Sequence, residues 1–585
     1  MLMDSDLRAP VRRRRSPVPF ATIALLLALP LLPGGGTPGA GEVAKTPMQR
    51  ETEALNLMGR VFEYVYKNYV DEVDPQKISE AAVRGMLAEL DEHSQYLPPQ
   101  NYEDLMLSTE GEFGGLGITI VIRDHYPTVV SPIEGTPAFF MGIQGGDQIV
   151  DIEGKPTYDW TSDQAVKLLR GDPGTRVSLK IRREGAPEAL PFTITRDIIK
   201  VESVPYAFMI GDVGYIRIQN FARTTASELR TKLDDLEKQG AKGVMLDLRW
   251  NPGGLLTAAK EVGELFLDRG KLLVFTKGRL QQQNVSYYSE PRGQVHNRLP
   301  MVVLVNGSSA SASEIVAAAL QDHDAGLIVG KTTFGKGSVQ TVYRLDEASA
   351  LKLTTAKYYT PSGRSIHKDR HKDDSDLDLV DGDAAPAPAS APGLQPADPE
   401  IPRHEKEQFK TDMGRTVYGG GGITPDVEIN QPLLNDYQVA LERDGALFSY
   451  ATHYAAQHKL APEFQADPAV LADFRGFLGQ REKFPEYLKE YKLRPAAADS
   501  LFDINSDYVA RGIRREIMRR GFGAQAAYKV AIEEDTQLHE ALNLFKQAKT
   551  LPALLKYAAE WNERQLQQAR AAEKDKPAVP VESRQ

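Results

Sequence analysis

The chain has 585 residues and no cysteine. That absence removes disulfide frameworks, thiolate zinc sites, iron–sulfur clusters, anchoring through a processed cysteine and every enzyme with a cysteine nucleophile. If the chain is an enzyme, its nucleophile is another group. An excess of basic charge is also missing: 70 Lys and Arg stand against 80 Asp and Glu, a net charge of −10. A general nucleic-acid binder carries a basic face that neutralises phosphates, so nucleic acid is not an expected partner. No apolar run reaches 18 residues, the length that reads as a membrane-spanning helix. A phosphate-binding loop is absent too. Gly330-Lys331-Thr332 echoes its end, but position 325 is Ala325 where a glycine is required, and Leu327-Ile328-Val329 reads as strand.

What is present is length and an ordinary globular composition, 41% hydrophobic. At about 150 residues per domain the length predicts three to five folded units. The first forty residues stand apart. Arg8 and Arg12 to Arg15 precede a largely apolar run, Phe20 to Leu32, and then the small-residue stretch Gly34 to Ala40. Charged, apolar and small segments in that order read as an export signal over residues 1–40. At about 1.5 Å per residue the apolar run reaches roughly 20 Å, short of a hydrocarbon core of roughly 30 Å. The mature chain is therefore expected outside the cytoplasm, in the periplasm, with membrane association through the N-terminus (anchoring to the inner membrane) if the segment stays uncleaved.

Residues 41–107 repeat apolar side chains at helical spacing (Leu57, Val61, Phe62, Val65, Tyr69, then Ile78, Ala82, Met86, Leu87, Leu90), which predicts two or three amphipathic helices. Residues 108–202 change to short β-rich runs, Gly117 to Ile122, Gln148 to Ile152, Val177 to Arg182 and Leu190 to Thr195, with one helical stretch, Ser162 to Leu169. Across 203–430, nearly continuous apolar strands such as Val244 to Leu248, Met301 to Val305 and Gly326 to Val329 alternate with helices such as Leu255 to Leu267 and Ala312 to Gln321. That alternation implies an α/β region with a substantially parallel, covered sheet. Within it, residues 369–408 are acidic and then Pro/Ala-rich, too poor in apolar area to offset ordering, and read as a disordered insertion. From 431 to 585 the pattern is helical, with a charged tail.

The richest chemistry follows the strand Met301 to Val305. Asn306-Gly307 makes a turn, and Ser308-Ser309-Ala310-Ser311-Ala312-Ser313-Glu314 opens a helix. A serine at such a strand-to-helix turn sits where free N–H groups and the helix dipole stabilise an oxyanion. The same residues also fit an S-x-x-E capping box between Ser311 and Glu314. No histidine suits as base: His323 lies about 18 Å along the same helix, and His367 and His371 border the acidic insertion, where solvation is expected. Lys336, flanked by Gly335 and Gly337, is the alternative; a strand through it places Lys336, Ser338 and Gln340 on one face, with Gln340 able to orient the amine. Its flanking glycines allow another backbone to approach closely.

Together, Ser309-Ala310-Ser311-Ala312-Ser313-Glu314-Ile315 and Phe334-Gly335-Lys336-Gly337-Ser338-Val339-Gln340 resemble the carboxyl-terminal processing peptidases, tail-specific serine proteases with a Ser/Lys dyad. The resemblance implies Ser311 as nucleophile, Lys336, 25 positions later, as base, and Gln340, four further on, as its assistant. Leu246-Asp247-Leu248-Arg249-Trp250-Asn251-Pro252-Gly253-Gly254 looks like the family's glycine turn, so Gly253 or Gly254 would form the oxyanion hole with the N–H of Ala312. Leu90 to Leu97 resembles an N-terminal motif of the family but has Glu92 where proline is usual.

The β region is similar to the family's PDZ domain, with Gly115, Leu116, Gly117 and Ile118 binding a terminal carboxylate and a peptide adding beside Ile118 to Ile122. The implied fold is a crotonase-like α/β protease core with a PDZ β domain and flanking helical regions. The implied activity is endopeptidase cleavage of proteins with apolar C-termini, without metal or cofactor; the N- and C-terminal helical regions are expected dimerisation elements of a homodimer, and an adaptor protein is a further expected partner. The alternative from another class is a non-catalytic PDZ scaffold or peptide-binding chaperone with a protease-like domain.

Overall fold

The computed structural model describes residues 2–3, 45–290, 295–296, 298–368 and 406–574. Nearly all of residues 1–40, where the export signal is expected, His371 and most of the expected insertion at 369–408 lie outside the described residues. The chain divides into two compact units, one of Met1–Met3, Gln100–Gln340 and Thr355–Gln585, the other of Asp4–Pro99 and Thr341–Thr354. Among the described residues no helix is long and apolar enough to cross a membrane.

In the smaller unit, Thr46 caps the helix Pro47–Asn68 by accepting from Gln49 N at 3.3 Å while Gln49 Oε1 accepts from Thr46 N at 2.9 Å. This helix has no buried residue, and its apolar members Leu57 and Val61 are more than half exposed. A second helix, Pro75–Ala88, is capped by Asp74. The Leu90–Leu97 motif is built around the Asp91 carboxylate, which accepts from His93 N, Ser94 N and Ser94 Oγ, each at 2.8 Å. The strand Gln95–Leu97 then pairs antiparallel with Ala350 to Lys352.

The larger unit contains the β region and the α/β core. In the β region, strands Ile118–Arg123, Tyr126–Pro132, Gln148–Ile152, Arg176–Arg182 and Leu190–Thr195 form an antiparallel sheet in that order. Alternation sends Val177, Leu179 and Ile181 inward and their neighbours to the surface. The helix Ser162–Leu169, capped by Thr161, closes the core with Ala165 and Leu169.

The α/β core is a six-stranded sheet ordered Tyr206–Ile210, Val213–Arg217, Gly243–Asp247, Met301–Val305, Leu327–Gly330 and Val427–Glu428. The first pair is antiparallel and the rest are parallel. Both faces are covered, which is why the strands read as unbroken apolar runs. Met301, Val303 and Val305 face the helices Thr225–Lys238, Leu256–Gly263 and Ala312–Asp322. Val302 and Leu304 face Leu538, Ala541, Leu544, Phe545, Leu554 and Leu555 of the last two helices. The C-terminal helical region thus supplies the second layer of the sheet. Gly243 is required there, since an added Cβ would lie 2.6 Å from the Phe545 ring.

Candidate active site

Ser311 sits between the strand Met301–Val305 and the fully buried helix Ala312–Asp322, at φ +57° and ψ −111°. A non-glycine residue held at positive φ stores strain that the surrounding structure must impose. Half of the expected capping box forms: Glu314 Oε2 accepts from Ser311 N at 2.8 Å. The other half does not, because Ser311 Oγ has no hydrogen-bond partner among the described residues, Lys336 included.

Glu314 does more than cap. It is fully buried, and its Oε2 also accepts from Lys336 N at 2.9 Å, so the backbones of Ser311 and Lys336 lie within two hydrogen-bond lengths of each other on one oxygen. Its Oε1 accepts from Gly335 N at 2.7 Å and Thr333 Oγ1 at 2.5 Å. Burial pushes the carboxyl up to about 7, and the hydrogen bonds from Thr333, Gly335, Ser311 and Lys336 offset only part of that rise. Tyr358 completes the link, its hydroxyl donating to Lys336 O and, at 3.2 Å, to Ser311 O. Burial, and then the Glu314 charge, raise that phenol well above its ordinary range.

Lys336 is half-buried and precedes the strand Ser338–Arg344 rather than lying in it. The expected face shared by Lys336, Ser338 and Gln340 is therefore corrected. Gly335, at φ +91°, breaks the alternation, and only Ser338 and Gln340 remain on the strand, joined by Gln340 Nε2 donating to Ser338 Oγ at 3.0 Å. The glycines do admit other backbone: a Cβ on Gly337 would lie 2.7 Å from His367 N, and one on Gly335 3.1 Å from Gly422 N. His367, expected in solvent, is instead half-buried with its backbone packed on Gly337, next to Lys336. His323 is engaged elsewhere, with Asp412 and Leu272 O.

The glycine turn reaches the same place from the strand Gly243–Asp247. A Cβ on Gly253 (φ +99°) would lie 2.8 Å from Ser311 Cβ and 2.9 Å from Ala312 N. Gly254 instead packs on the backbone of Phe221, whose oxygen would lie 2.2 Å from a Cβ. The N–H of Gly253 donates to Asn251 Oδ1 at 2.8 Å. Asn251 O accepts from both Ala310 N and Ser313 Oγ at 3.0 Å, which ties the turn to the start of the Ser311 helix. Sequence reasoning missed Asn251 and Tyr358 as parts of this site; Asn251 stood inside the quoted motif, while Tyr358 carried no signal.

In the β region, Gly115 pairs with Asp197, and Leu116 is a core side chain whose carbonyl accepts from Ala138 N at 2.9 Å. Gly117, at φ +79°, accepts on its oxygen from Ile133 N and Thr136 Oγ1. Ile118 opens an edge strand, paired on one side with Tyr126–Pro132 and flanked on the other by the helix Ser162–Leu169. An edge strand beside a helix is the geometry into which a peptide adds as a further strand.

The family model of peptidase family S41 matches residues 212–377, that of the PDZ domain residues 128–183, and that of the activating protease CtpB N-terminal domain residues 40–100. A carboxy-terminal-processing protease of Bartonella bacilliformis is 46% identical over 322 residues, covering 54% of this chain and 74% of that one. The carboxy-terminal processing protease CtpA of Bacillus subtilis is 36% identical over 361 residues, covering 62% of this chain and 76% of that one. A solved structure described as a photosystem II D1 C-terminal processing protease is 30% identical, covers 53% of this chain and 90% of that one, and has a TM-score of 0.31. From the matches to the S41 and PDZ models and to the Bartonella and Bacillus relatives, the chain belongs to the carboxy-terminal processing proteases, serine-type peptidases of family S41 that carry a PDZ domain.

Proposed function

We propose that the chain is an exported endopeptidase that captures the free C-terminus of a protein substrate in its PDZ groove and cleaves peptide bonds with Ser311 and Lys336. The observation that carries this reading is the junction at Glu314, where one carboxylate oxygen holds the backbone N–H groups of both residues beside a serine with an unengaged hydroxyl. In the acylation step Lys336 takes the Ser311 proton as Oγ attacks the scissile carbonyl. The developing oxyanion is held by the N–H of Ala312 at the helix start and by that of Gly253, which exchanges Asn251 Oδ1 for the substrate oxygen. Protonated Lys336 passes its proton to the leaving amine, and water hydrolyses the acyl-enzyme by the reverse sequence. Gln340 assists through the strand that follows Lys336.

Capture of the terminal carboxylate rests on Gly115, Leu116, Gly117 and Ile118, with apolar, uncharged C-terminal residues preferred. Export to the periplasm rests on the arginine-rich, apolar N-terminus; the helical regions serve homodimer formation, and an adaptor delivers substrates. Matched unfolded substrates that differ only in a free or amidated C-terminus test the capture step. Amidation is expected to raise KM at least tenfold, and equal KM values would overturn it. Labelling by a fluorophosphonate, with the modified peptide identified by mass, tests the nucleophile; a label elsewhere than Ser311 would sink the assignment.

A further inference from the structure

We propose that Asp535, in the C-terminal helical region, is a positioning residue for peptide cleavage, holding Arg249 and through it the turn Trp250–Gly254 against Ser311. The proposal rests on the reading of Ser311 as nucleophile. Arg249 is 3% exposed and two residues beyond the end of the strand Gly243–Asp247. Guanidinium has five N–H donors in a fixed fork. Here Nε and one Nη2 hydrogen are taken by Asp247, at 3.0 Å and 2.6 Å. The remaining three acceptor contacts come from the C-terminal region: Asp535 Oδ1 at 2.9 Å and Gln537 Oε1 at 3.1 Å on Nη1, and Asp535 Oδ2 at 2.6 Å on Nη2. Tyr528, from the preceding helix Ser506–Ala531, joins the same cluster by donating to Tyr215 Oη at 2.6 Å, and Tyr215 in turn donates to Asp247 at 2.7 Å.

The consequence for the site follows from the next residues. Trp250 is held at φ +62° with its N–H on Asn306 Oδ1 at 3.0 Å. Asn251 then anchors Gly253 on one side and Ala310 and Ser313 on the other. Only three residues, Trp250 to Pro252, therefore separate a buried charge from the glycine that packs against Ser311. A guanidinium left with unpaired N–H groups in this interior must shift towards another acceptor, and it carries the turn with it. A displacement of about 1 Å at a reacting centre costs on the order of 10²-fold in rate. Asp535 thus acts on the site through Arg249, although it lies 286 residues from it in sequence.

Asp535 also caps the helix Thr536–Gln547, accepting from Leu538 N at 3.0 Å. Asn caps as well as Asp, so Asp535→Asn removes the charge and keeps the cap. The test measures kcat and KM of the full chain on an unfolded substrate with an apolar C-terminus, for the wild type, Asp535→Asn, Arg249→Gln, their double variant and Ser311→Ala, with thermal unfolding alongside. Asp535→Asn is expected to lower kcat by about tenfold to 10²-fold with KM within twofold, and to cause no further loss in the Arg249→Gln background. If Asp535→Asn does not fold, Gln537→Ala removes another Arg249 acceptor without touching the cap and carries the same expectation at smaller size. An unchanged kcat, a loss confined to KM, or an additive loss in the double variant would overturn the proposal. Cleavage by Ser311→Ala at the wild-type rate would instead remove the nucleophile assignment and leave the Arg249 result to be read apart from it.

Discussion

Two carboxylates, Glu314 and Asp247, lie beneath the two halves of the site; both are completely buried, and they are shifted in opposite directions. Glu314 receives only neutral donors, from Ser311, Thr333, Gly335 and Lys336, and burial still pushes it up to about 7. Asp247 is equally buried, but Arg249, with help from Arg217 and Tyr215, holds it below the ordinary carboxylate range. Four neutral hydrogen bonds do not offset the desolvation of a carboxylate, whereas the paired Arg249 guanidinium, together with Arg217 and Tyr215, does. The pH windows follow. Glu314 has a folded value above its unfolded 4.5, so its contribution to stability is full below about 4.5 and is lost as pH rises through 7. Asp247 has a folded value below 3.8, so its contribution is present above that and is lost as pH falls through the folded value.

The comparison is broken most severely at Asp247. Asp247→Ala leaves Arg249 buried with one carboxylate fewer and is expected to cost about 3–5 kcal/mol, read from urea unfolding at neutral pH; a loss below 1 kcal/mol would mean that the guanidinium re-pairs. Between pH 4.5 and 7 the wild type is expected to lose about 3 kcal/mol through Glu314, and Glu314→Gln to lack that slope. Unfolding curves of the two proteins across this range check it, and parallel slopes would contradict the shifted carboxyl. Gly253→Ala places a Cβ at positive φ against the backbone of Ala310 and Ala312 and against Ser311, and is expected to lower kcat by about 10²-fold together with a lowered unfolding midpoint. The smallest effect belongs to Tyr358→Phe, which removes neutral hydrogen bonds on the Glu314 side and is expected to cost about 1 kcal/mol in the same unfolding assay.

Elements with a strong local pattern were legible in the sequence. The strands Gln148–Ile152, Leu190–Thr195 and Met301–Val305 and the helix Ser162–Leu169 form where their β-rich, apolar or helical runs placed them, because local composition and neighbouring turns set their extent. Lys336 stood out in the sequence as the candidate base through its flanking glycines, and the family resemblance tied it to Ser311. Its strand was misread, since alternation cannot anticipate that Gly335 turns to positive φ to bring its N–H onto Glu314. Glu314 was visible as a cap but not as the partner of a lysine 22 positions later. The apolar stripe of Pro47–Asn68 was also legible as a period, yet periodicity does not say what covers it. Least legible was the Arg249–Asp535 pair: a sheet buried on both faces demands a second layer, but no local signal says which distant segment supplies it.

The most direct test of the account is the rate at which the full chain, Ser311→Ala and Lys336→Ala cleave an unfolded protein with a free, apolar C-terminus, measured with equal folded protein confirmed by thermal unfolding. The account requires cleavage by the wild type and a fall of at least about 10³-fold in both variants. Cleavage by Ser311→Ala at the wild-type rate would contradict it.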